Sequence, residues 1–375
     1  MRTHTGMYPS ALVDLINLIT SSPLCRLLLF LKFYDLIVLY KSLRGYDFMA
    51  SKNLKGYAFE YFVREFLSSC GFVSVKEEVP TIFNKPGTGT MIHGLGQCHN
   101  ADVLMEPPFQ IPFYAPSRLL VECKCYTKTI GLPIARGLLG LRNDINNFDI
   151  VTPDILESRT KYRKNSAYDY NRYQYQVALA SVSELKTTAQ EFTCVHRIPV
   201  ILFTSSLFKD IRDHLFSLES ITIDEDQRKK AILFFQNPKG NIEPSFLNSF
   251  IDCVKEMSNK INIGILDNGM LLFLIEKMNI TSNENAYSDG YTLHWSNDKD
   301  YWKLISENTE YHFELPKKIM NQWIKSDNKH LAAIDLKQSV FRNIILYPNK
   351  NKDQQIEFIH ISQSFLEQAI YNINN

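Results

Sequence analysis

Between residues 54 and 70 the apolar positions Phe59, Phe62, Val63, Phe66 and Leu67 recur at the spacing of one helical face, and Gly71 supplies a stop. From Phe72 to Ile82 apolar and polar residues alternate, which predicts a strand. Gly87, Gly89, Gly94 and Gly96 mark a flexible turn region. The run His99-Asn100-Ala101-Asp102-Val103-Leu104 predicts a strand that ends at Pro107-Pro108. A loop with Pro112 and Pro116 leads to a third strand, Arg118-Leu119-Leu120-Val121-Glu122-Cys123-Lys124. After Gly131 a helix runs to about Asn147, with Ile134, Leu138, Leu141 and Ile145 on one side. Residues 151–173 are polar and read as a long loop. Tyr175–Ser181 reads as a strand, Ser183–Arg197 as a helix and Ile198–Thr204 as a short buried strand. Helix, three strands, helix, strand, helix, strand predicts an α/β core, a mixed central sheet flanked by helices.

The pattern changes after residue 205. Phe208–Leu218 looks helical, and Lys229–Phe235 fits either a strand or the end of a helix. Residues 261–276 predict a hairpin around Asp267-Asn268-Gly269. Tyr291–Trp295 and Arg342–Tyr347 predict strands, and Ser362–Tyr371 a last helix. The expected organisation is an N-terminal helical extension at 1–49, an α/β domain at 50–205 and an α+β accessory domain at 206–375. The accessory domain would serve as a sensor, partner surface or DNA contact. Met49-Ala50-Ser51 reads as a native start, which would make the residues before it peripheral.

Composition narrows this picture. A chain of 375 residues with 45% apolar and 22% charged residues is ordinary for a soluble protein. Its 7 cysteines are odd in number and scattered, against a disulfide framework and in keeping with a reducing cytoplasm. The net charge of +1 combines a mildly basic stretch up to residue 205 with a mildly acidic remainder. The apolar run Cys25–Tyr40 contains Arg26, Lys32 and Asp35 and is shorter than the roughly 20 residues of a spanning helix, so a packing helix and no membrane partner are expected. No phosphate-binding loop, dinucleotide fingerprint or nucleophile-elbow serine is present.

Asp102, Glu122 and Lys124 put charges where a buried strand should have none. Burying unpaired charge is costly, so these groups need partners. Side chains alternate across a strand, so Glu122 and Lys124 share one face and Cys123 and Cys125 the other. If the strand with Asp102 pairs beside them, two carboxylates and an ammonium converge. Two carboxylates with water and phosphate oxygens suit Mg²⁺ or Mn²⁺. Such an ion polarises a phosphoryl oxygen, and Lys124 could orient the attacking water or offset charge on the phosphate. Glu-x-Lys alone is a common pattern. Glu184-Leu185-Lys186 repeats it on a predicted helix, with no acidic strand upstream, and is set aside. The alternatives to catalysis are a surface-strand ion pair and a fold that kept its shape and lost its chemistry.

With Gly56-Tyr57-Ala58-Phe59-Glu60 on the first helix, the order Glu60, Asp102, Glu122-x-Lys124 resembles the PD-(D/E)XK nuclease superfamily, and within it Mrr-type and related prokaryotic defence nucleases. The likeness covers roughly residues 50–205. It implies a restriction-endonuclease-like core and a Mg²⁺- or Mn²⁺-dependent endonuclease on DNA, in restriction or anti-phage defence. It also implies that Asp102, Glu122 and the Cys123 backbone carbonyl hold the metal, that Lys124 assists attack and that Glu60 is an accessory ligand. Ala101 stands where the superfamily often has proline, and the spacing from Asp102 to Glu122 is long. A resolvase or repair nuclease on structured DNA, or a non-catalytic DNA-binding subunit of a defence complex, are the alternatives. Other complex subunits or a second copy are possible partners.

Further basic residues suggest nucleic-acid contacts. Arg159, Lys161, Arg163, Lys164 and Arg172 are interleaved with Tyr162, Tyr168, Tyr170, Tyr173 and Tyr175. Arg136 and Arg142 lie on the helix after the third strand, and His99 precedes Asp102 by three residues. A solvated loop explains the 159–175 residues equally well, and for His99 a structural hydrogen bond is the favoured reading. Cys98, His99, Cys123 and Cys125 lack the paired spacing of structural zinc and read as thiols.

Overall fold

Gly71 stops the first helix because it adopts φ +86°, a left-handed conformation that only glycine takes at little cost. In the computed structural model the described residues are 54–75, 82–85, 89–110, 115–147, 173–266, 270–277, 291–295, 301–305, 309–314, 341, 343–349 and 356–360. The expected N-terminal extension, the apolar run at 25–40, the basic tyrosine-rich segment at 151–172, the Asp267–Gly269 turn and the final helix lie outside them. Helix α1 covers 54–69 and buries Phe59, Phe62, Val63, Phe66 and Leu67, the face its periodicity predicts.

Five strands form the first sheet: β1 (Val73–Ser74), β5 (Val103–Glu106), β6 (Ser117–Lys124), β7 (Gln174–Ser181) and β8 (Val200–Leu202), in the order β1-β5-β6-β7-β8. Strands β1, β5 and β6 run antiparallel, whereas β6, β7 and β8 run parallel. The parallel pairs need crossovers, and helices α2 (Leu132–Asn146) and α3 (Thr187–Val195) occur between their strands. Leu104, Leu120, Val177 and Leu179 of the sheet share a core with Ala135, Leu138 and Ile145 of α2 and Ala189 of α3. The expected mixed sheet with flanking helices is present.

Several local expectations need correction. The alternation from Phe72 to Ile82 is not one strand. It divides into β1 and β2 (Ile82–Lys85), and β2 belongs to a separate three-stranded sheet with β3 (Gly89–His93) and β4 (Cys98–Asn100). Alternation reports the faces of a strand but not which sheet receives it. The glycine-rich stretch holds strand β3 rather than a turn throughout, and Gly89 at φ +89° opens it. The helix expected from Ser183 starts at Thr187. Glu184 and Lys186 lie in the preceding loop, where Leu185 bridges Ile130, so the second Glu-x-Lys copy is not helical.

Beyond residue 205 come α4 (Lys209–Ser217), α5 (Glu225–Gln236) and α6 (Asn248–Ser258). The ambiguous run at 229–235 is helical, opened by an Asp224–Gln227 capping box. Strands β9 (Ile261–Leu266) and β10 (Leu271–Glu276) form the expected antiparallel pair. With β11 (Thr292–Trp295), β12 (Trp302–Ile305), β13 (Glu310–Phe313), β14 (Asn343–Tyr347) and β15 (Glu357–His360) they build an antiparallel sheet ordered β11-β12-β13-β10-β9-β14-β15. The described residues from Lys55 onward belong to one compact unit. Aromatic contacts cross residue 205: Tyr61 meets Phe234, Phe235 and Phe250, and Phe66 and Phe203 meet Phe273. Among the described residues no helix is long and apolar enough to cross a membrane.

Candidate active site

The register of β5 against β6 builds the site. Val103 pairs with Val121 and Leu104 with Leu120, and the ladder ends there: the strand expected over His99–Leu104 divides into β4 and β5, and Asp102 lies in the bend between them, beside β6. Strand β5 begins at Val103, whereas β6 continues to Lys124 alongside β7. Beyond Val103, then, β5 offers β6 no further backbone acceptors. The Asp102 carboxylate replaces them, and its Oδ2 accepts a hydrogen bond from the Cys123 N–H at 2.8 Å. This bond fixes the carboxylate on the edge of β6, beside the face that Glu122 and Lys124 share.

Lys124 Nζ donates to Glu122 Oε1 and lies 4.0 Å from Asp102 Oδ2. All three side chains are partly buried, so their fields are weakly screened. Burial, followed by the Glu122 carboxylate, pushes Asp102 up to about 6, against the pull of Lys124 and the Cys123 N–H. Burial works against the Lys124 ammonium, but the Glu122 and Asp102 carboxylates outweigh it and raise its pKa.

Glu60 reaches this cluster from α1. Burial and then the Asp102 carboxylate hold its carboxyl well above the usual range, against Arg64 and Lys124. Two neighbours on α1 escaped the sequence reading. Tyr57, one turn before Glu60, has its phenol raised by burial and then by Glu60 and Asp102. Arg64, one turn after, is buried and donates through Nη1 to Phe235 O at 2.9 Å and Gln236 O at 3.1 Å. Their positions at three and four residues from Glu60 are the available signal, since such residues share a helical face.

No protein-family model matches the chain. An uncharacterized protein of Acanthamoeba polyphaga mimivirus, L750, is 28% identical over 143 residues, a stretch that covers 35% of this chain and 39% of the viral protein. The match therefore spans well under half of that relative. A solved structure of a protein of unknown function, AF1548, gives a TM-score of 0.26 at 12% identity, covering 49% of this chain and 98% of that one. Neither relative has a stated activity.

The structure groups Asp102 and Glu122 around Lys124, and Glu60 on α1 acts on them through its field. His99 has a different partner: Nε2 lies 2.5 Å from Oδ2 of Asp144 on α2. Asp144 also accepts from the Gly96 N–H at 2.8 Å through Oδ1, so it ties the β3–β4 hairpin to the helix. Arg142 is likewise engaged, donating to His196 O at 3.0 Å beyond the end of α3. Arg136 is exposed on α2. Lys161, Arg163, Lys164 and Arg172 lie outside the described residues. Cys123 and Cys125 are buried thiols, and burial raises both. Cys98 is exposed, with Sγ 3.5 Å from His93 Nδ1.

Among the described residues no group of three or more His, Cys, Asp or Glu side chains is arranged to hold a metal ion. One oxygen of Glu122 is engaged by Lys124 and one of Asp102 by the Cys123 N–H. The donor chemistry nevertheless fits a hard divalent cation. Two carboxylates, Asp102 and Glu122, flank the Lys124 ammonium, and Glu60 and Arg64 act on the cluster through their fields. Burial first, and then the neighbouring carboxylates, raise Glu60 and Asp102.

Proposed function

We propose that this protein is a metal-dependent nuclease of the PD-(D/E)XK kind that hydrolyses phosphodiester bonds in DNA, with a role in restriction or anti-phage defence. The observation that carries the proposal is that the Asp102 carboxylate, held by the Cys123 N–H, and the Glu122 carboxylate both flank the Lys124 ammonium. Asp102, Glu122 and the Cys123 backbone carbonyl would hold Mg²⁺ or Mn²⁺, with Glu60 as an accessory ligand. A cation bound there polarises a phosphoryl oxygen and lowers the pKa of water.

The chain's own groups have separable roles in this reading. The Cys123 N–H orients the Asp102 carboxylate. Lys124 keeps its proton, because the carboxylates raise its pKa, and so offers a cation to charge developing on the phosphate. Glu60, whose carboxyl burial and Asp102 hold well above the usual range, would turn anionic as an accessory ligand when a cation binds from the α1 side. Arg136 is exposed and available to the phosphate backbone.

The test is cleavage of linear duplex, single-stranded and four-way-junction DNA with Mg²⁺, Mn²⁺ or chelator. Metal-dependent cleavage that disappears in Asp102→Ala and in Lys124→Ala supports the proposal. Cleavage undiminished in both variants would sink it. DNA held without cutting under every metal condition would identify a binding subunit instead, and strong preference for junctions a resolvase.

A further inference from the structure

After Lys124 the chain leaves the sheet in a short loop. Cys125 is buried, the next four residues Tyr126, Thr127, Lys128 and Thr129 are exposed, and Ile130 is buried again. The loop is pinned. Ile130 N donates to Glu184 O at 2.9 Å, Lys186 N donates to Ile130 O at 2.8 Å, and Ser183 Oγ donates to Lys128 O at 3.0 Å.

Tyr126 sits two residues beyond Lys124 and is 48% exposed. Its phenol lies close enough to add to the field that raises the Lys124 ammonium. Among the described residues its ring stacks on no other ring and its hydroxyl has no hydrogen bond. A large aromatic group is thus held at the edge of the charged cluster with its ring open. Lys128, in the same loop, adds an exposed cation.

An aromatic ring beside a cation is the combination that receives single-stranded nucleic acid. The ring stacks on a base, and the cation follows the backbone. A paired base has both faces covered inside the duplex and offers such a ring nothing. A pinned loop also loses little conformational freedom on binding.

We propose that Tyr126 is a stacking platform for an unpaired base beside the scissile phosphate, so that the site acts on DNA with unpaired stretches. The inference rests on the nuclease reading. Lys128 supplies the accompanying phosphate contact, and Lys124 and the carboxylates remain the reacting end.

The experiment compares wild type, Tyr126→Phe and Tyr126→Ala on three substrates of one sequence with Mg²⁺ or Mn²⁺. The substrates are a single strand, a duplex with a short unpaired gap and a fully paired duplex. Wild type is expected to prefer the first two. Tyr126→Ala should raise KM on them about tenfold with kcat little changed, and Tyr126→Phe should match wild type. A 2-aminopurine beside the cleavage position should be quenched by wild type and Tyr126→Phe, and not by Tyr126→Ala. Equal KM for all three proteins on unpaired DNA, or a wild-type preference for the paired duplex, overturns the platform and leaves the nuclease reading standing. Wild type that cleaves no DNA under either metal overturns both.

Discussion

The backbone N–H of Cys123 donates to Asp102 Oδ2 at 2.8 Å, across 21 residues of sequence. The carboxylate at the centre of the site therefore also completes the edge of a strand. The two roles separate by substitution. Asp102→Ala leaves a partly buried N–H without an acceptor, which costs about 1–3 kcal/mol of stability. Asp102→Asn keeps an acceptor and should cost less, yet it removes the charge. Both variants should lose nuclease activity, and thermal denaturation should rank Ala as the less stable. Equal melting temperatures for Ala and Asn would show that the bond contributes nothing.

Stability should depend on pH through Asp102. Its carboxyl titrates near 3.8 in the unfolded chain and at about 6 when folded. Between these values the native state holds more protons than the unfolded state, so this group's contribution falls as pH rises from about 4 to about 6 and levels off above. Two pH units correspond to at most about 3 kcal/mol. With chelator present, the wild type should therefore lose stability relative to Asp102→Asn across that window. Mg²⁺ should raise the wild-type melting temperature more at pH 7 than at pH 5, because the carboxylate form binds it. Parallel melting profiles for the two proteins would contradict the assignment.

Lys124 neutralises Glu122 and faces Asp102. Lys124→Met leaves the carboxylates without their ammonium and should cost about 2 kcal/mol in metal-free buffer. A divalent cation should then stabilise Lys124→Met more than wild type, while cleavage stays at background. Differential scanning fluorimetry with and without Mg²⁺ measures this, and a smaller Mg²⁺ effect in the variant would count against a shared anionic cluster.

Arg64 ties the helix that carries Glu60 to the end of α5. Arg64→Met strands the Phe235 and Gln236 carbonyl oxygens and should cost about 2–4 kcal/mol. Arg64→Lys should recover part of it, since a single ammonium replaces a forked donor. Urea denaturation should show a lower midpoint at unchanged slope. An unchanged midpoint for Arg64→Met would remove Arg64 from the interface.

Much of the core was legible because its elements are long and locally consistent. Helix α1, strand β6, helix α2 and strand β7 announce themselves through the period of Phe59–Leu67, the apolar run before Glu122, the face of Leu138 and Ile145, and the apolar stretch to Ser181. The β9–β10 pair was equally plain. Strands β12, β13 and β15 and helix α6 were missed. The three strands are four residues each and mix charge with aromatics, and such short runs carry too few periods to stand out. His99 has the structural hydrogen bond that the sequence allowed it, but its partner, Asp144, sits on a helix 45 residues away and could not be named from the sequence.

The sequence by itself determined which groups share a face. Glu122 and Lys124 fall on one side of a strand because side chains alternate with a period of two, whatever the strand pairs with. It also determined that Glu60 and Arg64 lie on one side of a helix. Only the tertiary structure decided that Asp102 lies beside the edge of β6, that its carboxylate accepts from the Cys123 N–H, and that Glu60 and Tyr57 come within reach of its charge. Register follows from burying Leu104 against Leu120 and both beneath α2, a condition set by the whole core and not by any local run of residues.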